Sequence, residues 1–64
     1  MVDTTAADTR ALILDAARRQ LLADGYAGLS TRKVAEQAQV PVSQLHYHFG
    51  SKQGLILTLF AEEN

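Results

Sequence analysis

"STRKVAEQAQVPVSQLHYHFGSK", residues 30–52, is the stretch whose reading decides the fold. Ser30 is a good N-cap, because its hydroxyl can accept a backbone N–H that the first helical turn leaves without a partner. The residue three places on is Lys33 rather than Glu, so the reciprocal capping box is missing. A short helix over 31–38 follows, with Val34, Ala35 and Ala38 as its small inward face. Gln39 and Val40 form a break. Pro41 is excluded from a helix interior but tolerated in a first turn, and it pushes Val40 towards an extended backbone. A second helix over 42–49 is predicted next, anchored in the core by Leu45 and Phe49 at i,i+4, and Gly50 stops it. Two short helices joined by a tight turn read as a helix-turn-helix.

On the N-terminal side, "TRALILDAARRQLLAD" is rich in the strong helix formers Ala, Leu and Arg. Ile13, Ala17 and Leu21 recur at i, i+4, i+8, with Leu14 and Ala16 beside them, and predict one apolar stripe on a helix over 9–24. Asp15 and Arg19 form an i,i+4 pair of opposite charge on its outer side. Gly25 is expected to end this helix in a left-handed C′ conformation, and Tyr26 to pack on the core nearby, with a role at DNA as the lesser alternative. Residues 1–8 read as a flexible arm, polar and without periodicity.

On the C-terminal side, Ser51 can cap a fourth helix, over 52–63, in which Leu55, Ile56, Leu59 and Phe60 form a broad apolar face. Gly54 inside it is expected to be a mild liability, about 1 kcal/mol relative to Ala. The fold class is therefore all-α: a three-helix, homeodomain-like helix-turn-helix over 9–64 with the start of a fourth helix.

Bulk properties narrow the function classes. A chain of 64 residues makes at most one domain, near the lower limit for folding without staples. With no cysteine, neither a disulfide nor a thiolate metal site is available. No signal-peptide pattern is visible, and apolar runs such as 55–57 are far short of the roughly 20 residues that span a bilayer. The reading is of a cytoplasmic chain with no membrane partner. The formal net charge is −1, but charge is unevenly placed. Residues 26–54 carry Arg32, Lys33 and Lys52 against Glu36 alone, while the flanks carry three arginines against six carboxylates. A basic middle between acidic ends suits a small phosphate-contacting face.

The side chains of the 42–49 helix point the same way. A helix that only covers a core needs apolar residues and easily solvated charges. Here Val42, Ser43, Gln44, His46, Tyr47 and His48 surround the Leu45/Phe49 anchor, polar and aromatic yet almost uncharged. In a helix-turn-helix the second helix lies in the major groove and the first crosses the backbone. Gln can bond adenine bidentately, Ser can serve several base edges, and Val can pack on a thymine methyl. A tyrosine hydroxyl or neutral imidazole can bond phosphate without adding formal charge.

With those residues in view, "GYAGLSTRKVAEQAQVPVSQLHYHFGSKQGLI", residues 25–56, resembles the N-terminal DNA-binding domain of the TetR family of bacterial transcription regulators. The likeness covers about residues 9–62. Its most specific piece is "LHYHFGSK", similar to the family's Leu-Tyr-x-x-Phe-x-x-Lys pattern. The resemblance implies that Thr31 and Arg32 stand near phosphate or a base edge and that Val42, Ser43 and Gln44 read bases. It likewise implies backbone or base contacts from Tyr47 and His48 and a phosphate clamp at Lys52. His46 stands where the family usually has Tyr, and Gln39 where it usually has Gly in the turn. Either Gln39 accepts a left-handed backbone or the turn is shaped differently. The partners implied are a palindromic double-stranded DNA operator, a homodimer of the intact regulator, and a small-molecule effector. The effector and the dimer contacts belong to a larger C-terminal domain that these 64 residues do not include.

Other chemistries fit less well. His46 and His48 at i,i+2 lie on different helix faces, whereas a helical metal pair would sit at i,i+4, so no metal is expected. Ser43 and His46 lack a third orienting group, and no enzyme activity or cofactor is expected. Arg18 and Arg19 read as solvated surface, and Lys33 is as consistent with solvent as with a second backbone contact. The competing function is a small helical interaction module that docks a partner through the apolar face at 55–60 and binds no nucleic acid.

Overall fold

The computed structural model describes residues 5–63, with side chains described over 8–61. Four helices follow one another: α1 (Thr5–Gly28), α2 (Thr31–Ala38), α3 (Val42–Phe49) and α4 (Lys52–Glu63). No strand occurs among the described residues.

Helix α1 begins at Thr5, four residues before the expected start, so 5–8 is helical where an arm was predicted. Ala6 and Ala7 are the strongest helix formers available, and Asp8 complements the positive helix end from the first turn. The rest of the expected arm, residues 1–4, lies outside the described residues. The stop at Gly25 falls where expected but in another conformation. Its φ of 75° and ψ of 175° lie in an extended region open essentially to glycine alone, not in the left-handed helical well. One further turn carries the chain to Leu29, whose N–H donates to the Tyr26 carbonyl at 3.3 Å. Leu29 thereby enters the core.

The turn between α2 and α3 is a Schellman motif built on glutamine. Gln39 adopts φ 62° and ψ 42°, the left-handed alternative. Its N–H donates to the Glu36 carbonyl at 3.1 Å, and the Val40 N–H donates to the Ala35 carbonyl at 3.0 Å, the bonds that define the motif. Val40 packs against the core, supplying the accompanying apolar contact. A non-glycine residue in this well is strained by about 1 kcal/mol. Gln39→Gly is therefore expected to raise stability by about 0.5–1 kcal/mol, seen as a rise of a few degrees in the thermal midpoint. A fall in that midpoint would show that the Gln39 side chain has a compensating role.

Caps behave as the sequence predicts. The Ser30 hydroxyl accepts the Lys33 N–H at 3.0 Å, and the Ser51 hydroxyl accepts the Gly54 N–H at 3.2 Å. Pro41 stands at the N-cap of α3 with an extended backbone and no side-chain bond. The α3 C-terminus turns sharply at Gly50, with φ 85° and ψ −59°. There the Ser51 N–H reaches the Phe49 carbonyl at 3.0 Å, closing a γ-turn.

One core joins all four helices: Ile13, Leu14, Ala16 and Ala17 from α1, Val34, Ala35 and Ala38 from α2, Leu45 from α3, and Leu55, Ile56 and Leu59 from α4, with Leu29 between α1 and α2. Gln20 of α1 is buried too, and its Nε2 donates to Gln37 Oε1 of α2 at 3.1 Å. This placement corrects the reading of α4. Leu55, Ile56 and Leu59 are spent on the chain's own core, because α4 packs its apolar face on α1 and α3. What remains outside is Leu57 at 61% and Phe60 at 56% exposure. The broad docking face at 55–60 on which the interaction-module reading depended is absent.

Candidate nucleic-acid interface

Helix α3 is divided by a single residue. Leu45 is 0% exposed and fixes the rotation of the helix on the core. Phe49, one turn on, is half-buried against the same cluster. With that side turned inwards, Val42, Ser43, Gln44, His46 and Tyr47 are exposed. Tyr47 is 81% exposed. Residues of a helix share a face at i, i+3 and i+4, so with Leu45 and Phe49 turned onto the core the remaining positions of this short helix are left to solvent. The polar residues that the sequence singled out thus share one solvent-facing surface at and beyond the first turn of α3.

His48 is placed differently from its neighbours. It is half-buried, and its Nε2 is enclosed without a hydrogen-bond partner. Its ring stands nearly perpendicular to that of Tyr47, with centroids 5.3 Å apart, and is tilted against Phe49 at 6.0 Å. The imidazole braces the aromatic end of α3. His46, by contrast, is exposed, so the two histidines do face different ways. Among the described residues no three His, Cys, Asp or Glu side chains are grouped to hold a metal ion.

The basic residues lie at helix starts on either side of α3. Thr31 and Arg32 open α2, half-buried and exposed respectively, and Lys33 beside them is exposed. Lys52 opens α4. Its Nζ lies 4.1 Å from the centroid of the Tyr26 ring, a contact that corrects the core role expected for Tyr26, which is 52% exposed. Farther along α3, the Arg10 guanidinium lies 5.8 Å from the Phe49 ring centroid. Arg19 is taken up by Asp15 at 2.8 Å on the exposed side of α1. Sequence reasoning missed the Tyr26–Lys52 contact and the Gln20–Gln37 bond. Neither carries a local signal, because each joins residues from separate elements.

A tight left-handed turn between two short helices, with the second helix presenting a polar face above a buried leucine, defines a helix-turn-helix DNA-binding domain. Residues 13–59 match the family model for bacterial regulatory proteins of the tetR family, and the chain belongs to the TetR family. Among curated sequences it is 36% identical over 56 residues to a protein of Bacillus subtilis (strain 168) described as an uncharacterized HTH-type transcriptional regulator, YvkB. That alignment covers 88% of this chain and 30% of the relative, so the chain spans under a third of the relative's length. No solved structure matches the chain significantly. The domain is thus a DNA-binding module of a transcription regulator. No described helix is long and apolar enough to cross a membrane.

Proposed function

We propose that this domain reads an operator for a ligand-responsive TetR-family repressor acting in the cytoplasm. The observation that carries the reading is the division of α3: Leu45 is fully buried while Val42, Ser43 and Gln44 stand exposed on the helix's first turn. That turn is the part of a recognition helix that meets base edges. Val42 packs on a thymine methyl, Ser43 serves a base edge, and Gln44 bonds adenine N6 and N7. Thr31, Arg32, Tyr47 and Lys52 hold phosphates and set the register, with His46 at the groove margin. His48 contributes by holding the Tyr47 ring. Family membership supports the remainder: a homodimer on a palindromic operator, half-sites about 34–36 Å apart, and an effector site outside these residues. The domain itself catalyses no reaction.

Gln44 is the sharpest test. Gln44→Ala is expected to leave helix content and melting nearly unchanged, because the side chain is exposed. Affinity for the preferred half-site is expected to fall by about 1–3 kcal/mol while binding to random duplex stays the same. A base-substitution series across one half-site, run on wild type and variant together, reads this out. Should the variant keep the wild-type preference at every position, Gln44 does not read bases and Ser43 becomes the better candidate.

A further inference from the structure

We infer that Tyr26 is a positioning residue for DNA binding: its ring seats the Lys52 ammonium and holds it ready for phosphate. The inference rests on the reading of Lys52 as a phosphate contact.

The position of Lys52 is electrostatically awkward. It is the first residue of α4, where unpaired backbone N–H groups and the helix dipole place positive charge and favour anions over cations. A lysine there is repelled by its own helix. Its four-carbon stem is flexible, so a free ammonium would sweep widely and lose much freedom on meeting phosphate. The Tyr26 ring answers both problems. With Nζ 4.1 Å from the ring centroid, the ammonium lies within the range at which the negative face of an aromatic ring attracts a cation. A half-exposed ring leaves the ammonium open to solvent on its other side, and Lys52 itself is only half-buried.

The backbone reveals how the seat is built. Gly25 breaks α1 in a conformation essentially reserved for glycine, and the single turn after it turns Tyr26 towards the start of α4. Meanwhile the γ-turn at Gly50 and the Ser51 cap set where Lys52 leaves the helix. Two turns far apart in sequence thus converge on one cation. Because Tyr26 acts through a cation that meets phosphate, its effect on binding is expected to be the same for every DNA sequence.

Five chains and two readouts test this: wild type, Tyr26→Phe, Tyr26→Leu, Lys52→Ala and the Tyr26→Leu/Lys52→Ala double variant. In the free protein, NMR is expected to show the Lys52 ε-methylene protons shifted upfield by the ring in wild type and Tyr26→Phe, and at their ordinary position in Tyr26→Leu. Titration of a labelled random-sequence duplex at several salt concentrations is the second readout. Lys52→Ala should weaken binding to all duplexes alike and lower the salt slope by about one. Tyr26→Leu should weaken it roughly two- to fivefold, the range of an exposed cation–π contact, and Tyr26→Phe should bind as wild type. In the Lys52→Ala background, Tyr26→Leu should cost nothing further. An unshifted Lys52 resonance in wild type overturns the seat. So does an equal loss from Tyr26→Leu with and without Lys52, since that is the behaviour of a merely structural residue. A Lys52→Ala variant with unchanged slope instead overturns the phosphate reading, whatever Tyr26 does.

Discussion

Gly54→Ala is expected to destabilise the domain by about 2 kcal/mol, although glycine-to-alanine in a helix ordinarily stabilises by about 1. Helix propensity and tertiary packing have opposite signs here, and packing wins. A Cβ at position 54 would fall far inside van der Waals contact of the Phe49 carbonyl oxygen. That oxygen has little freedom to retreat, because it accepts the Ser51 N–H across the γ-turn at Gly50. Nor can Gly54 withdraw easily: its N–H is held by the Ser51 hydroxyl and its carbonyl by the Thr58 hydroxyl at 2.9 Å. The obstruction is backbone rather than the end of a flexible side chain, so α4 must move as a body. Leu55 is the next residue and fully buried, which carries the displacement into the core. Thermal denaturation followed by circular dichroism should show the midpoint falling by about 10 °C. A rise in the midpoint would mean that α3 and α4 do not approach as closely as described. The expectation of a mild liability at Gly54, drawn from propensity alone, is thereby reversed in sign.

Leu45→Ala is expected to cost about 2–5 kcal/mol, the range for emptying a fully buried leucine site. The magnitude matters because the domain is small. At about 0.05–0.15 kcal/mol per residue, its whole stability is about 3–10 kcal/mol. Loss of Leu45 therefore removes a large share of it and leaves the chain partly unfolded at ordinary temperature. Urea titration should show a markedly lower midpoint, and DNA binding should fall in proportion to the folded fraction. The neighbouring Gln44→Ala variant supplies the contrast, with little loss of stability and a loss of base discrimination. Were Leu45→Ala to melt within a degree or two of wild type, the rotation assigned to α3, and with it the outward face, would be wrong.

The contrast between residues 44 and 45 also marks how far the sequence could be read. Helices α2, α3 and α4 start and stop where local chemistry places them: Ser30 accepts an N–H of α2 and Ser51 one of α4, Pro41 opens α3, and Gly50 ends it. Those interactions join residues no more than a few positions apart, so the residue types carry nearly all the information. The anchor Leu45 and the inward face of α2 were legible for the same reason, since helical period alone puts them on one side. At Gln39 both alternatives were visible, and the left-handed one prevails because the Schellman bonds and the burial of Val40 offset its strain.

Tertiary structure decided the rest. Periodicity showed that α4 has an apolar face but not what would cover it, and the answer, the chain's own α1 and α3, required the packed arrangement. It likewise left His48 half-buried while its neighbour Tyr47 stays exposed, tied Gln20 to Gln37, and brought Lys52 over the Tyr26 ring. The sequence by itself determined the class of fold, the capped helix-turn-helix and the set of side chains able to face DNA, because propensities, caps and helical period act within a few residues. Which of those side chains are held, braced or turned away was decided only when four helices closed on one core, because steric exclusion and ring–cation geometry act between segments that no local pattern relates.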